Sequence, residues 1–133
     1  MRVLITIVSA IFMATNTSAI AHHALTIFDS SKVVLIVGTL KQFQWASPHS
    51  WIDVLVPAPD GSGVLWPVEC AAPVVLVRAG WSKDMMKVGD KISVEVLPLR
   101  TGRPGGACVG ITVPGGRKFV LDAYRQALKK AGQ

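Results

Sequence analysis

From residue 32 onward the chain reads as short runs of alternating apolar and polar side chains, each closed by turn residues. That period of two constrains the fold more than any other feature, because it describes strands with one buried face. Residues 32–45 form the first run. Val34, Ile36 and Leu40 share a face, and the apolar parity then passes to Phe43 and Trp45. A change of parity beside Gly38-Thr39 predicts a bulge that bends the strand. Residues 50–57 follow, with Ile52, Val54 and Val56 set against Trp51, Asp53 and Leu55. Pro59-Asp60-Gly61-Ser62-Gly63 is a hairpin turn. Residues 64–70 place Val64, Trp66, Val68 and Cys70 on one face. Pro67 within that run requires a sheet edge or a bulge, since it has no N–H for the ladder.

The next seven residues break the rhythm. Val74, Val75 and Val77 favour a strand, yet Pro73 opens the segment and Gly80 follows it, which is the asymmetry of a helix. A short helix is therefore expected over 73–79. Lys87-Val88-Gly89-Asp90 turns into a fourth strand, 91–99, with Ile92, Val94 and Val96 inward. A loop with three glycines, 100–106, leads to a fifth strand at 107–113. Pro114-Gly115-Gly116 then turns into a short closing strand at 117–122. Three strands, a helix and two or more strands make an all-β chain with one short helix. That is the order of a small OB-like barrel, in which the helix plugs one end between the third and fourth strands. A sandwich is the alternative. Twelve glycines and eight prolines in 133 residues suit a turn-rich β protein, and a 50% apolar content excludes a disordered one.

Residues 1–21 stand apart from this pattern. Arg2 precedes an apolar stretch from Val3 to Ala14, and a polar segment then ends in Ala19-Ile20-Ala21, an A-x-A cleavage pattern. About a dozen apolar residues are too few for a membrane anchor, which takes about 20. A cleaved secretory signal peptide is expected at 1–21, followed by a barrel domain at 22–122 and a basic, fraying helical tail at 123–133. Removing Arg2 lowers the net charge from +6 to +5. No later stretch can span a bilayer, because the apolar run at 33–37 is short and Lys41 follows it. The expected location is periplasmic or secreted, an oxidising compartment.

All three histidines fall at two places, His22-His23 and His49. Cleavage after Ala21 makes His22 the mature N-terminus, where its α-amine and Nδ1 form a bidentate chelate. A further imidazole from His23 or His49 completes a nitrogen-only site that selects Cu(II). Cleavage after Ala19 instead puts a histidine third, and amine, two amide nitrogens and imidazole form a square-planar copper site. Either cut predicts copper at the N-terminus, with affinity falling below about pH 6 as protons compete. A solvated terminus and a turn-capping His49 are the plain alternatives. Residues 22–31 span at most about 33 Å, so the terminus must fold back along the barrel for all three to meet.

Cys70 and Cys108 would close a loop of about 39 residues, a constraint of about 4 kcal/mol in the chain-entropy model. The compartment favours the bond. Strand parity opposes it, because Cys70 points with the core set while Cys108 alternates against Val109 and Ile111, unless Gly105 and Gly106 shift the register. One buried and one exposed thiol is the other outcome.

Trp45, Trp51, Trp66 and Trp81 suit core and barrel-end packing, with Trp51 the exception because it shares its strand face with Asp53. Basic residues cluster late, at Arg100, Arg103, Arg117, Lys118, Arg125, Lys129 and Lys130. Export argues against a nucleic-acid partner for them. A solvated face or contact with anionic lipid headgroups is expected instead. Ser47 and Ser50 flank His49 without forming a triad, and Glu69 with Glu95 across strands has no motif support. No enzyme is expected.

A wider pattern joins these residues. His22-His23, Trp45-x-x-Pro48-His49-x-Trp51, Trp66-x-x-Glu69, Pro73, Arg78-x-Gly80-Trp81, Lys87-x-Gly89-Asp90 and Gly116-Arg117 occur in that order. From about residue 22 to 120 the chain resembles a family of small exported bacterial proteins classed as a domain of unknown function. The resemblance implies an exported OB-like barrel and no activity, and Cys70 and Cys108 depart from the family pattern. The function expected is that of a monomeric exported protein that binds Cu(II) through His22, His23 and His49. The alternative is a cell-envelope module that docks a protein or glycan at Trp45, Trp51 and Asp53.

Overall fold

A computed structural model describes residues 27–121 of the protein. The expected signal peptide, His22, His23 and the tail at 123–133 lie outside the described residues. Strands form where the alternation predicts them: β1 Val34–Gln44, β2 Trp51–Pro57, β3 Gly63–Glu69, β4 Lys91–Pro98, β5 Gly106–Thr112 and β6 Lys118–Val120. Helix α1, Pro73–Arg78, lies between β3 and β4. The sheet runs β3-β2-β1-β4-β5-β6, and a further parallel pairing of β3 with β5 closes five strands into an OB-like barrel. No helix among the described residues is long and apolar enough to cross a membrane.

β1 serves both halves of the barrel. Its first half pairs with β4 (Ile36 with Val94) and its second half with β2 (Phe43 with Ile52). The register slips between Leu40 and Gln42, so the bulge sits at Lys41 and not at Gly38-Thr39. Gly38 has a different task, the close approach of β2 to β1. A Cβ there would overlap the Leu55 carbonyl oxygen and stand 2.8 Å from Val54 Cγ1.

The interior holds Leu40, Ile52, Val54, Val68, Val94 and Val96, all fully buried. Each contributes about 1.5–3 kcal/mol by leaving water. Helix α1 plugs this interior with one residue. Leu76 is buried while Val74, Val75 and Val77 are exposed. Pro73 in the first turn and Gly80 at φ 88° bound the helix, which is why three valines do not extend into a strand. Trp81, just beyond, is buried and tilts against Phe119 of β6 at 6.3 Å. Outside the barrel, Phe28 bridges to Leu99 and packs with Leu97, Ala107 and Val109. Pro67 stands one position before the β5 pairing begins at Val68, so β3 is an edge there, as proline requires.

A second bulge corrects the strand parity expected for Cys108. Glu95 faces Gly110 and Val96 faces Cys108, which leaves Val109 as the extra residue in β5. Cys108 therefore joins Ile111 in the interior core, and Val109 turns to the outer cluster. The shift arises at Val109 and not at Gly105-Gly106.

The β2–β3 hairpin supplies a pH-dependent contact. Asp60 Oδ1 accepts hydrogen bonds from the Ser62 hydroxyl (2.5 Å) and the Ser62 N–H (2.9 Å). The hydroxyl first, and the N–H after it, hold the Asp60 carboxyl below its ordinary 3.8. A carboxylate with a depressed folded-state pKa adds stability above the unfolded value, and this is lost as pH falls through the folded value. A carboxyl NMR titration is expected to give Asp60 a midpoint below 3.8 in wild type, and Ser62→Ala should raise it. A midpoint that Ser62→Ala leaves unchanged would refute this origin.

Candidate functional site

The loop between β1 and β2, residues 45–50, is held by its last residue. Ser50 is fully buried, and its hydroxyl accepts from the Ala46 N–H (3.4 Å) and donates to the Ala46 carbonyl (3.3 Å). Its backbone is tied beyond the end of β3: Ser50 N–H donates to Ala71 O, and Cys70 N–H donates to Ser50 O. The Ser47–Pro48 peptide is cis. The hydrogen bonds of Ser50 draw His49 against the last residue of β3, where its Nδ1 meets Glu69 Oε1. With the Nδ1 hydrogen donated to a carboxylate, the Nε2 of a neutral imidazole keeps its lone pair. That is the arrangement of a metal-ligating histidine with a carboxylate behind it. The imidazole is about half exposed, and the carboxylate is largely buried.

Glu69 also lines an apolar groove with Ile27, Phe28, Trp51, Pro67 and Leu99, open to solvent and about 440 Å³ in volume. Ile27, the first described residue, stands in that groove with Glu69, the carboxylate that holds His49. On the other side of Trp51 lies a more polar recess of about 310 Å³, lined by Gln42, Gln44 and Asp53. Trp51, 38% exposed, separates the two.

The structure divides the expected docking face. Trp51 and Asp53 lie together on the outside, but Trp45 packs against the core and meets Phe43 edge-on at 5.6 Å. The bulge at Lys41 sets this parity, because it turns Phe43 and Trp45 inward. Among the basic residues, Arg117 lies over the Phe119 ring at 4.7 Å and Lys118 pairs with Glu95 Oε1 at 2.5 Å. Glu69 and Glu95 do not face one another, since Glu69 is opposite Trp51 and Ala107 while Glu95 is opposite Leu35 and Gly110. No cluster of three metal-ligating side chains occurs among the described residues.

A family model for proteins of unknown function, DUF6152, matches residues 10–108. The chain belongs to this family. The match runs from within the apolar stretch at residues 3–14 to Cys108 and so takes in β1 to β4, α1, the His49 loop and the start of β5. No curated protein matches the chain. The DUF6152 match thus agrees with the resemblance read from the motifs, and the barrel with its one short helix agrees with the expected fold.

The partner of His49 escaped sequence reasoning. Counting back along both strands from the turn at Pro59 to Gly63 sets Trp51 opposite Glu69, two residues from His49. The Trp66-x-x-Glu69 spacing carried the signal, but only together with the hairpin register.

Proposed function

We propose that this protein is an exported Cu(II)-binding module whose site joins the mature N-terminus at His22 to His49. The α-amine and imidazole of His22 form the chelate, His23 or His49 adds nitrogen, and Glu69 orients His49 from behind. The observation that carries this reading is the His49–Glu69 contact at the groove that Ile27 lines. Ile27 lies five positions after His22, a reach of about 17 Å. The terminus therefore need not retrace the barrel to meet His49. Nitrogen-rich ligation of this kind favours copper over zinc.

The test is Cu(II) titration of protein whose N-terminus is verified as His22. His22→Ala and N-terminal acetylation should each weaken binding more than tenfold, and His49→Ala nearly as much. Glu69→Gln should cost about tenfold, as loss of a carboxylate behind a metal-bound histidine does. Wild type binding no tighter than His22→Ala would overturn the copper reading. The envelope docking module, with Trp51 between its two recesses as the contact, would then take its place.

A further inference from the structure

We propose that Cys70 and Cys108 form a disulfide that locks the parallel seam closing the barrel. β3 and β5 meet over two register pairs, Val68 with Gly106 and Glu69 with Ala107. The next residue on each strand is a cysteine. Neighbouring strands run about 4.8 Å apart, and disulfides bridge Cα atoms about 4.4–6.8 Å apart. The seam's own register therefore sets the two residues within bonding reach. Both side chains face the interior core, 3% and 1% exposed. The Val109 bulge is what turns Cys108 there.

The free thiols are poorly served in this position. Cys70 Sγ donates to the Val68 carbonyl at 3.9 Å and Cys108 Sγ to that of Gly110 at 3.8 Å. Burial first, and contact with the Cys108 side chain after it, push the Cys70 thiol well above its ordinary range. A buried thiol of this kind is a weak nucleophile, so the bond forms while the chain is still open. One cysteine thiolate attacks an external disulfide such as oxidised glutathione, giving a mixed disulfide and one glutathione thiolate. The second cysteine thiolate then attacks the protein sulfur of that mixed disulfide and releases the other glutathione. The protein loses two protons and two electrons overall, and the glutathione disulfide takes up both to become two thiols. Closure of the barrel then shields the bond from reductant.

The test uses the purified chain refolded with oxidised and reduced glutathione, which makes it independent of where the cell places the protein. Alkylation in denaturant without reductant should leave the refolded monomer unmodified, and prior reduction should expose two thiols. Cys70→Ala and Cys108→Ala should each show one thiol without reduction. The oxidised wild type should melt roughly 16–32 °C above its reduced form, and the Cys70→Ala/Cys108→Ala double variant should not respond to reductant. Two alkylatable thiols in the refolded, folded wild-type monomer would overturn the proposal. So would a bond that leaves the melting temperature unchanged on reduction, because it would not be locking the seam.

Discussion

Leu76→Ala is expected to destabilise the protein by about 3 kcal/mol, the middle of the range for emptying a buried leucine site. Leu76 is the one buried residue of α1, and the helix touches the core through it. The void would open at the barrel end, beside a Trp81 already fixed against Phe119, so its walls have little freedom to collapse. For a domain of this size such a loss lowers the melting temperature by roughly 12–24 °C. Val75→Ala, one residue away on the exposed face, should stay within about 0.5 kcal/mol. Thermal unfolding of both variants decides the matter. Equal shifts would mean that α1 does not plug the barrel through Leu76.

Gly38→Ala should be nearly as damaging as the leucine deletion, although it adds a single methyl group. The new Cβ would overlap a backbone carbonyl, that of Leu55, and crowd Val54 Cγ1. A carbonyl held in a strand cannot swing aside as a side-chain tip can, so β1 and β2 must separate. An overpacking penalty of about 2–3 kcal/mol follows. Gly61→Ala makes the informative comparison. Gly61 has φ 83° and open space around it, so alanine there meets conformational strain alone, about 1 kcal/mol. Denaturant midpoints would rank the two. A Gly38→Ala protein as stable as Gly61→Ala would show that the strands do not approach so closely.

Most of the fold was readable because each strand carries its own period and each turn its own residues. Ile52, Val54, Val94 and Val96 alternate without interruption, and they are buried as the pattern implies. The helix was readable from Pro73 and Gly80 despite its valines. Both bulges resisted placement. A bulge is a property of two strands, and one strand read alone shows only that parity changes somewhere. Phe43 and Trp45 revealed the first bulge but not its position at Lys41. Nothing in β5 revealed the second, because Ala107, Cys108 and Val109 are all apolar and so carry no alternation. The site was legible in part for the same reason. His49 stands out by its rarity, but Glu69 acquires meaning only when β2 and β3 are paired.

The barrel's last closure comes late in the chain. Val68 must wait for Gly106, 38 positions further on, before β3 gains its second neighbour. During synthesis the hairpins among β1, β2 and β3 can assemble first, because their contacts are local. One long edge then stays open until α1, β4 and the glycine loop have all been made. An exposed edge of this kind is a template for pairing with other chains. Pro67 sits in that edge and brings no N–H to a ladder, which discourages a foreign strand from docking. The residue that looked least suited to a strand thus guards the growing chain at its most vulnerable stage.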